Sequence, residues 1–366
     1  MKRLFTAFVL LACLTAQAQT RWINPFEEGA QTHGQGWSEL RGGFDRLPAK
    51  AEGVVRDPVW SLSRQSAGLS LVFRSNAECI TVRYTVAGGH SMFHMPSTGA
   101  SGVDMYAVGE DDVLRWCACD FTPSFRDTIT YRYSGLTYHD NPDYEYHLYL
   151  PLYNRVTWMQ IGVDGDADLT FVPVGDEKPI VAYGTSITQG ACASRPGTAW
   201  TNIIERELRL PVVNLGFSGN GKLDPEVFDL LAEIDAKMYI IDCMPNMSSG
   251  SPIRERVLAG VEKLRQAHDC PILLVEHSGS SNYVSKSASE GFKKVNKELR
   301  KAYEELKAAG CKNLYYLTYE QIGYGMDGMV EGVHPTDLGM RRQADAYEKA
   351  LHKILHLRRN SYKKSN

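Results

Sequence analysis

The chain after residue 175 alternates two kinds of segment, and this alternation constrains the fold more than any other feature. Short continuous apolar runs recur along it, as is typical of strands that are covered on both faces. These runs are "PIVAYG" (179–184), "VVNLG" (212–216), "MYIID" (238–242), "PILLVE" (271–276) and "LYYLT" (314–318). Between them, helix-like segments start with caps at Thr198, Asp224 and Ser251, and a fourth segment (287–309) ends at Gly310. This pattern predicts an α/β fold with a parallel sheet, whose ligands bind at the carboxyl ends of the strands.

The chain before residue 175 has a different pattern of residues. Its strand-like segments are rich in β-branched and aromatic residues and are separated by Gly, Asn, Asp and Pro. They are "LSLVFRS" (69–75), "CITVRYTV" (79–86), "TITYRYSG" (128–135) and "TWMQIGV" (157–163). We therefore predict an all-β sandwich or jelly-roll-like domain at 19–175, an α/β domain at 176–358 and a polar tail at 359–366.

The first eighteen residues predict a signal peptide. Lys2 and Arg3 precede an apolar stretch, and "AQA" at 16–18 offers the small residues that a signal peptidase reads, so we expect cleavage after Ala18 and export. A lipoprotein site at Cys13 is the alternative. No other segment approaches the ~20 apolar residues that cross a bilayer. Seven cysteines remain after cleavage, and their odd number and spacing favour neither a disulfide framework nor a zinc ribbon.

The balance of charged residues limits the classes of partner that we expect for this protein. The 366 residues include 40 basic and 43 acidic side chains without a long run of one sign. A nucleic-acid backbone or an anionic membrane surface needs a basic patch, so neither is expected as a partner. A small or neutral molecule is favoured.

Ser186 follows the first apolar run of the second half by two residues. An isolated Gly-x-Ser there is often a simple turn. A catalytic serine also needs a base, a group that orients the base, and donors for an oxyanion, and these would have to stand at the ends of other strands.

Four segments supply such groups in a familiar order. "YGTSITQG" (183–190), "NLGFSGNG" (214–221), "CMPNMS" (243–248) and "EGVHPTDLGM" (331–340) resemble the successive blocks of the SGNH (GDSL-type) hydrolases. The β-rich half resembles, more loosely, the N-terminal domain of some secreted members. The resemblance implies a three-layer α/β/α domain and ester hydrolysis through an acyl-enzyme, without a cofactor or metal.

The resemblance also assigns roles. It makes Ser186 the nucleophile and His334 the base, and it forms the oxyanion hole from the backbone N–H groups of Ser186 and Gly219 with the side-chain amide of Asn246. The chemistry suits each role, since glycine permits close approach, an amide can donate, and imidazole exchanges protons near neutrality. A turn glycine, a loop cap and a surface histidine are the ordinary interpretations of the last three.

The sequence departs from the family pattern at Glu331. The family usually has aspartate three residues before the histidine, and glutamate is one methylene longer, which puts the geometry of the contact with His334 in question. Asp327 or a backbone carbonyl could orient the ring instead, and Glu331 would then be a solvated loop acid.

Three further histidines lie in suggestive places. His90 and His94 are four residues apart, but the glycines around them indicate a loop rather than a helical metal site. That loop is either an ordinary loop of the β domain, which we favour, or a segment that shapes the catalytic pocket. His277 follows the fourth apolar run and is either a substrate contact or a structural residue.

The combined expectation is an exported carbohydrate esterase that removes acetyl groups from glycans. A lipase or thioesterase is the alternative enzyme, although no amphipathic lid is evident. The alternative of another class is a glycan-binding protein with a silent hydrolase domain. Its sugar-stacking residues would be Trp60, Tyr138, Tyr144 or Tyr146, although tyrosines in strands are more often core residues.

Overall fold

The computed structural model describes residues 19–357, except 41, 109–113, 121–122, 137–143 and 283. The predicted signal peptide with Cys13, the aromatic Tyr138 and the tail at 359–366 lie outside the described residues. Each helix in the described part of the chain is too short or too polar to traverse a bilayer.

Antiparallel sheets form the β-rich half. Its strands are β1 (Arg21–Ile23), β2 (Thr32–His33), β3 (Ser70–Ser75), β4 (Cys79–Val86), β5 (Asp104–Val108), β6 (Leu114–Cys117), β7 (Ile129–Ser134), β8 (Tyr144–Tyr149), β9 (Val156–Val163) and β10 (Leu169–Phe171). One sheet has the order β1-β9-β4-β7, and the other has the order β10-β3-β8-β5-β6 with β2 beside β3. Buried side chains of both sheets share a single core, which confirms the predicted sandwich.

Strand alternation explains this core. In β7, Ile129, Tyr131 and Tyr133 point inward while the residues between them are partly or fully exposed. Tyr144 and Tyr146 of β8 are likewise buried, so they belong to the core and are not available to stack on a sugar. The expectation that such tyrosines are core residues is confirmed for these two.

The second half contains a parallel sheet. Its strands are β11 (Ile180–Gly184), β12 (Val212–Gly216), β13 (Met238–Asp242), β14 (Ile272–Val275) and β15 (Leu314–Leu317). They are ordered β12-β11-β13-β14-β15, and every pairing is parallel. Every predicted apolar run of this half is therefore a strand of one sheet, within one residue at either end.

Helices cover both faces of this sheet. Across the described residues the helices are α1 (Asp57–Ser63), α2 (Ser97–Ala100), α3 (Ser186–Gln189), α4 (Trp200–Leu208), α5 (Pro225–Leu231), α6 (Ile253–Ala267), α7 (Lys286–Ala308), α8 (Tyr319–Ile322) and α9 (Asp337–Ile354). Val181 and Tyr183 of β11 share a core with α5, α6 and α7, whereas Ile180 and Ala182 share another with α4 and α9. The three-layer α/β/α arrangement is confirmed.

Two helix starts differ from the predicted caps. α4 begins at Trp200, because a 3-10 turn at Pro196–Thr198 precedes it. The Thr198 hydroxyl does not cap the helix and instead lies within hydrogen-bond distance of two acceptors, the Arg195 carbonyl (2.9 Å) and the Asp337 carboxylate (2.7 Å). Ser251 lies one residue before the N-cap of α6, which is Pro252. Local hydroxyl and proline signals place a helix start only to within one or two residues.

The two halves are joined by buried polar contacts. The Arg46 guanidinium is buried and donates to the carbonyls of Asn214 (3.1 Å) and Gly216 (2.7 Å), at the carboxyl end of β12. The Asp104 carboxylate accepts from Arg195 Nη1 (2.5 Å) and from the Gly197 N–H (2.9 Å). Arg46 thus fastens the β-rich half to the carboxyl end of β12, and Asp104 fastens it to the 3-10 turn that precedes α4.

Candidate active site

Ser186 stands at the carboxyl end of the inner strand β11. The strand ends at Gly184, the hydroxyl of Thr185 accepts the Ile187 N–H (3.3 Å), and Ser186 is the first residue of α3. The short helix closes at Gly190, whose φ of +109° is readily adopted only by glycine. Ser186 is only 5% exposed, so the fold places its hydroxyl at a strand end in a sheltered position.

His334 contacts this hydroxyl, and Glu331 contacts His334. Ser186 Oγ lies 2.8 Å from Nε2 of His334, and Nδ1 of the same ring lies 2.5 Å from Oε1 of Glu331. A tight loop holds the pair, since the Val330 N–H donates to the His334 carbonyl (2.8 Å) and Gly332 adopts a φ of +97°. The three side chains form a continuous hydrogen-bonded chain.

The longer side chain of Glu331 fits this geometry. Its Oε1 also accepts the backbone N–H of His334 at 3.2 Å, so the carboxylate folds back over its own loop. Asp327, the other acidic candidate, lies in the 3-10 turn Met326–Gly328, where its carbonyl accepts the Thr336 hydroxyl (3.1 Å). The side-chain partner of His334 Nδ1 in the structure is therefore Glu331.

The predicted oxyanion donors lie on neighbouring strand ends. Gly219, with φ of +67°, lies in a turn closed by hydrogen bonds from the Asn220 and Gly221 N–H groups to the Phe217 carbonyl (2.8 and 2.9 Å). Asn246 Oδ1 accepts the Gly221 N–H at 3.1 Å. This bond uses the oxygen of the amide, and the donors that the amide can offer to an oxyanion are the two N–H groups of Nδ2.

Gln189 connects the turn to the helix of Ser186. Its side-chain oxygen accepts the Ser218 N–H (3.0 Å), and its Nε2 donates to the Leu152 carbonyl (3.1 Å) of the β-rich half. Tyr153, next to Leu152, donates its hydroxyl to the Ser186 carbonyl at 3.2 Å. Sequence reasoning missed both residues. Gln189 lies within the quoted "GTSITQG" segment, whereas no local signal marks Tyr153.

Asp242 is a buried acid beneath this site, at the end of β13. Its Oδ2 accepts hydrogen bonds from Thr188 (3.4 Å), Gln343 (3.2 Å) and Tyr347 (2.8 Å). Burial disfavours the charged carboxylate and raises the pKa of Asp242 to about 7, although the three donors oppose the shift. The acid links α3 to α9, the helix that follows His334.

The glycine-rich loop of the β-rich half reaches this site, so the favoured interpretation of it as an ordinary β-domain loop is wrong. Met92 and Met95 pack against the core of the α/β half, and the His94 ring stands edge-on to His334 with centroids 5.1 Å apart. Asn154 holds the start of the loop by accepting the Gly88 N–H at 2.9 Å. The loop borders the site from the opposite half of the chain.

His277 has a structural position. Its backbone N–H donates to Asn296 Oδ1 (2.8 Å), and its Nδ1 accepts the Gly279 N–H (3.1 Å). Burial lowers the pKa of His277 to about 4, so the ring is neutral at physiological pH. These contacts match the structural alternative for this residue.

One cluster in the described part of the chain has the composition of a metal site. His94, Cys192 and His334 place their potential ligand atoms within 4.8 Å of one another. His90, the other member of the pair considered from sequence, is not part of this cluster.

Each half of the chain matches a known protein family. Residues 177–352 match the GDSL-like lipase/acylhydrolase family, and residues 20–169 match the family described as the N-terminus of SGNH hydrolase-type esterases. The second family is named GxDLY, and residues 102–106 read GVDMY. Asp104 and Tyr106 of this pattern both contact Arg195, so the pattern lies at the junction of the halves. No curated protein matches the sequence.

Solved structures resemble more than nine-tenths of the chain. A GDSL-like lipase from Bacteroides ovatus is 30% identical with a TM-score of 0.83, covering 93% of this chain and 99% of its own. The salicylyl-acyltransferase SsfX3 is 19% identical with a TM-score of 0.74, covering 92% of this chain and 98% of its own. A family two carbohydrate esterase from Cellvibrio japonicus is 13% identical with a TM-score of 0.54, and the match also covers 92% of this chain and 98% of its own. The last two share the fold. With both halves matched and a 30% identical relative spanning nearly its whole length, this chain belongs to the GDSL-like lipase/acylhydrolase (SGNH hydrolase) family.

Proposed function

We propose that this GDSL-family hydrolase is an exported serine esterase that removes acetyl groups from glycans. The observation that carries the proposal is the hydrogen-bonded chain from Ser186 through His334 to Glu331 at the carboxyl end of the sheet. Export is inferred from the charged and apolar residues at the start of the sequence and from the "AQA" segment at 16–18.

In the proposed first step, Ser186 attacks the ester carbonyl. Glu331 accepts the hydrogen bond of His334 Nδ1–H, which leaves the lone pair of Nε2 facing the Ser186 hydroxyl. Nε2 takes the hydroxyl proton as Oγ bonds to the carbonyl carbon. The imidazolium that forms is stabilised by the Glu331 carboxylate.

The carbonyl oxygen then carries the negative charge. Donors that point at this oxygen before the reaction begins stabilise the charge without reorganisation. The backbone N–H groups of Ser186 and Gly219 and the Nδ2 of Asn246 are the proposed donors. Gln189 and Gly221 hold the 217–221 turn and the Asn246 amide in place.

Collapse of the intermediate breaks the bond to the sugar oxygen. His334 returns its proton to this oxygen, so the glycan hydroxyl leaves and the acetyl group remains on Ser186. Water then attacks the acyl-enzyme, with His334 again taking a proton and later returning it to Oγ. The products are acetate and the deacetylated glycan, and no cofactor takes part in these steps.

A glycan acetyl ester suits the composition of the chain. The near balance of acidic and basic residues favours a neutral substrate, and nucleic acid is not expected as a partner. A carbohydrate esterase also shares the fold.

Longer acyl chains are the second candidate substrate. Phe93 is 94% exposed and stacks on His94, and Val330 is 45% exposed next to Glu331. These apolar side chains flank the site, where an aliphatic acyl chain would contact them. Acyl-length preference distinguishes this lipase or thioesterase activity from an acetylesterase.

Acetate release from a panel of acetylated polysaccharides tests the proposal. The purified chain should release acetate, while Ser186→Ala should lose nearly all activity and keep its Tm. Full turnover by Ser186→Ala would overturn the assignment. Retention on a glycan affinity gel, with no esterase activity on p-nitrophenyl acetate, would instead support the binding-protein alternative.

A further inference from the structure

Three potential metal ligands from distant parts of the chain lie close together beside Ser186. His94 comes from the loop between β4 and α2, Cys192 follows the end of α3, and His334 precedes α9. Their potential ligand atoms all lie within 4.8 Å of one another. Two imidazoles and one thiol form a donor set that binds zinc in many proteins.

His94 has an unfilled bonding position. Its Nδ1 is buried and has no hydrogen-bond partner within the described residues. The ring is held by parallel stacking on Phe93 (centroids 4.0 Å apart, planes 4° apart) and by its edge-on contact with His334. A buried polar atom without a partner is costly, and a bound cation would remove that cost.

Cys192 is held in an uncommon backbone conformation. Its φ is +67°, in the left-handed region that residues other than glycine seldom occupy, and the residue is buried with a free thiol. A metal-bound cysteine is a thiolate, so zinc binding would release the proton of this thiol.

We propose that His94, Cys192 and His334 form a binding site for Zn²⁺, and that zinc at this site switches off the hydrolase. Ligand atoms in a tetrahedral zinc site lie about 3.5 Å apart, as follows from bond lengths of about 2.0–2.3 Å. Contraction by about 1 Å is required, and rotation of the partly exposed His94 and His334 side chains can supply it. Water would fill the fourth position.

Inhibition follows from the two nitrogens of His334. One is hydrogen-bonded to Ser186 and the other to Glu331. Zinc that takes Nε2 removes the lone pair that would accept the serine proton. Zinc that takes Nδ1 displaces Glu331 and places a cation next to a ring that must become positively charged. Either mode stops the proposed proton transfer, with one zinc ion per chain.

Direct binding is tested by isothermal calorimetry on the full, metal-free chain with Zn²⁺ alone. We expect one site whose affinity falls at least tenfold in Cys192→Ala and in His94→Gln. Cys117→Ser, which removes a thiol of the β-rich half, should bind zinc like the wild type. Ser186→Ala should also bind zinc normally although it is inactive. Unchanged affinity in both Cys192→Ala and His94→Gln would overturn the site.

The effect on activity is measured separately. Zinc should inhibit wild-type ester hydrolysis with the midpoint that calorimetry gives, EDTA should restore the activity, and Mg²⁺ should have no effect. Cys192→Ala should resist zinc at least tenfold better than the wild type. Tight binding at this site without inhibition would overturn the switch. Because calorimetry requires no turnover, failure of the proposed esterase function would not be mistaken for failure of the metal site.

Discussion

Oε1 of Glu331 lies 2.5 Å from the Nδ1 of His334 and also accepts the backbone N–H of His334 at 3.2 Å. One oxygen therefore contacts both the ring and the backbone of the same residue. This double contact shows how a glutamate fits a position where the family usually has aspartate, because the additional methylene is taken up by the backward fold of the side chain.

Removal of the Glu331 charge should impair catalysis without abolishing it. In Glu331→Gln the amide can still bond the ring but cannot stabilise the imidazolium, so kcat/KM should fall between the values for wild type and His334→Ala. Glu331→Asp should lose activity as well, since the shorter side chain cannot reach both contacts from the same backbone. The measurement is kcat/KM from pH 5 to 9.

Asp327→Asn is the matched control, because Asp327 lies in the same loop without bonding the ring through its side chain. It should retain activity close to wild type. A Glu331→Gln profile that follows wild type at every pH would make Glu331 a bystander.

Loss of the Asn246 amide should lower kcat more than it changes KM. Removal of one oxyanion donor typically costs on the order of 10²–10³ in kcat, and we expect this loss in Asn246→Ala. Asn246→Asp retains an acceptor for the Gly221 N–H but replaces the donor with a carboxylate, so its loss should be at least as large. An effect confined to KM would assign Asn246 to substrate binding instead.

Much of the second half is predictable because its strands are buried on both faces. Such strands read as unbroken apolar runs, and the predicted runs match β11 to β15 within one residue. β5 and β8 were not predicted, although both lie inside the second sheet of the sandwich. β8 reads YEYHLY, where tyrosines supply the buried face, and tyrosine marks a core position less clearly than an aliphatic residue does.

Some residues of the candidate site could likewise be predicted from the sequence, and others could not. Ser186, Gly219, Asn246 and His334 follow strand ends or precede a helix, so their positions along the chain carry the signal. His94 and Tyr153 come from the other half, and their proximity to Ser186 depends on how the halves pack. Sequence periodicity contains no information about that packing, which is why the loop that carries His90 and His94 was misassigned.

The junction of the halves should depend on Asp104. Its buried carboxylate accepts hydrogen bonds from Arg195 (2.5 Å), the Gly197 N–H (2.9 Å) and Trp116 (2.7 Å). Asp104→Asn leaves Arg195 without its counter-ion. Loss of one partner from a fully buried ion pair costs about 3–5 kcal/mol, and because the Arg195 side chain is 28% exposed, this figure is an upper bound here. We expect a clearly lower Tm in thermal unfolding followed by circular dichroism.

Asp120→Asn provides the comparison for this prediction. Asp120 pairs with Arg132 at a similar distance (2.7 Å), but on the surface, where ion pairs contribute little. Its Tm should stay near that of wild type. Equal effects of the two substitutions would mean that the junction does not depend on the Asp104 carboxylate.

Acyl length should separate the two proposed substrate classes. For an acetylesterase, kcat/KM should fall from acetyl to butyryl to octanoyl p-nitrophenyl esters, because a site shaped for acetate excludes longer chains. Phe93→Ser removes exposed apolar surface beside the site and should leave acetyl hydrolysis unchanged. Rates that rise with chain length in wild type, and that fall in Phe93→Ser, would favour the lipase alternative.

The stability of the chain should depend on pH through Asp242. Burial raises the pKa of this acid to about 7, whereas an unfolded aspartate titrates near 3.9, so the folded state binds the proton more tightly. The stabilisation is therefore complete below about pH 4 and is lost as the pH rises through 7. Between pH 5 and 8, linkage gives a loss of about 2–3 kcal/mol from this group.

Asp242→Asn is neutral at every pH and retains an oxygen for Thr188, Gln343 and Tyr347. The free energy of unfolding of the variant, from urea titrations at pH 5 and 8, should accordingly improve relative to wild type by about that amount at the higher pH. A difference between the two proteins that stays constant from pH 5 to 8 would show that Asp242 remains charged in the folded chain, with the three donors outweighing the effect of burial.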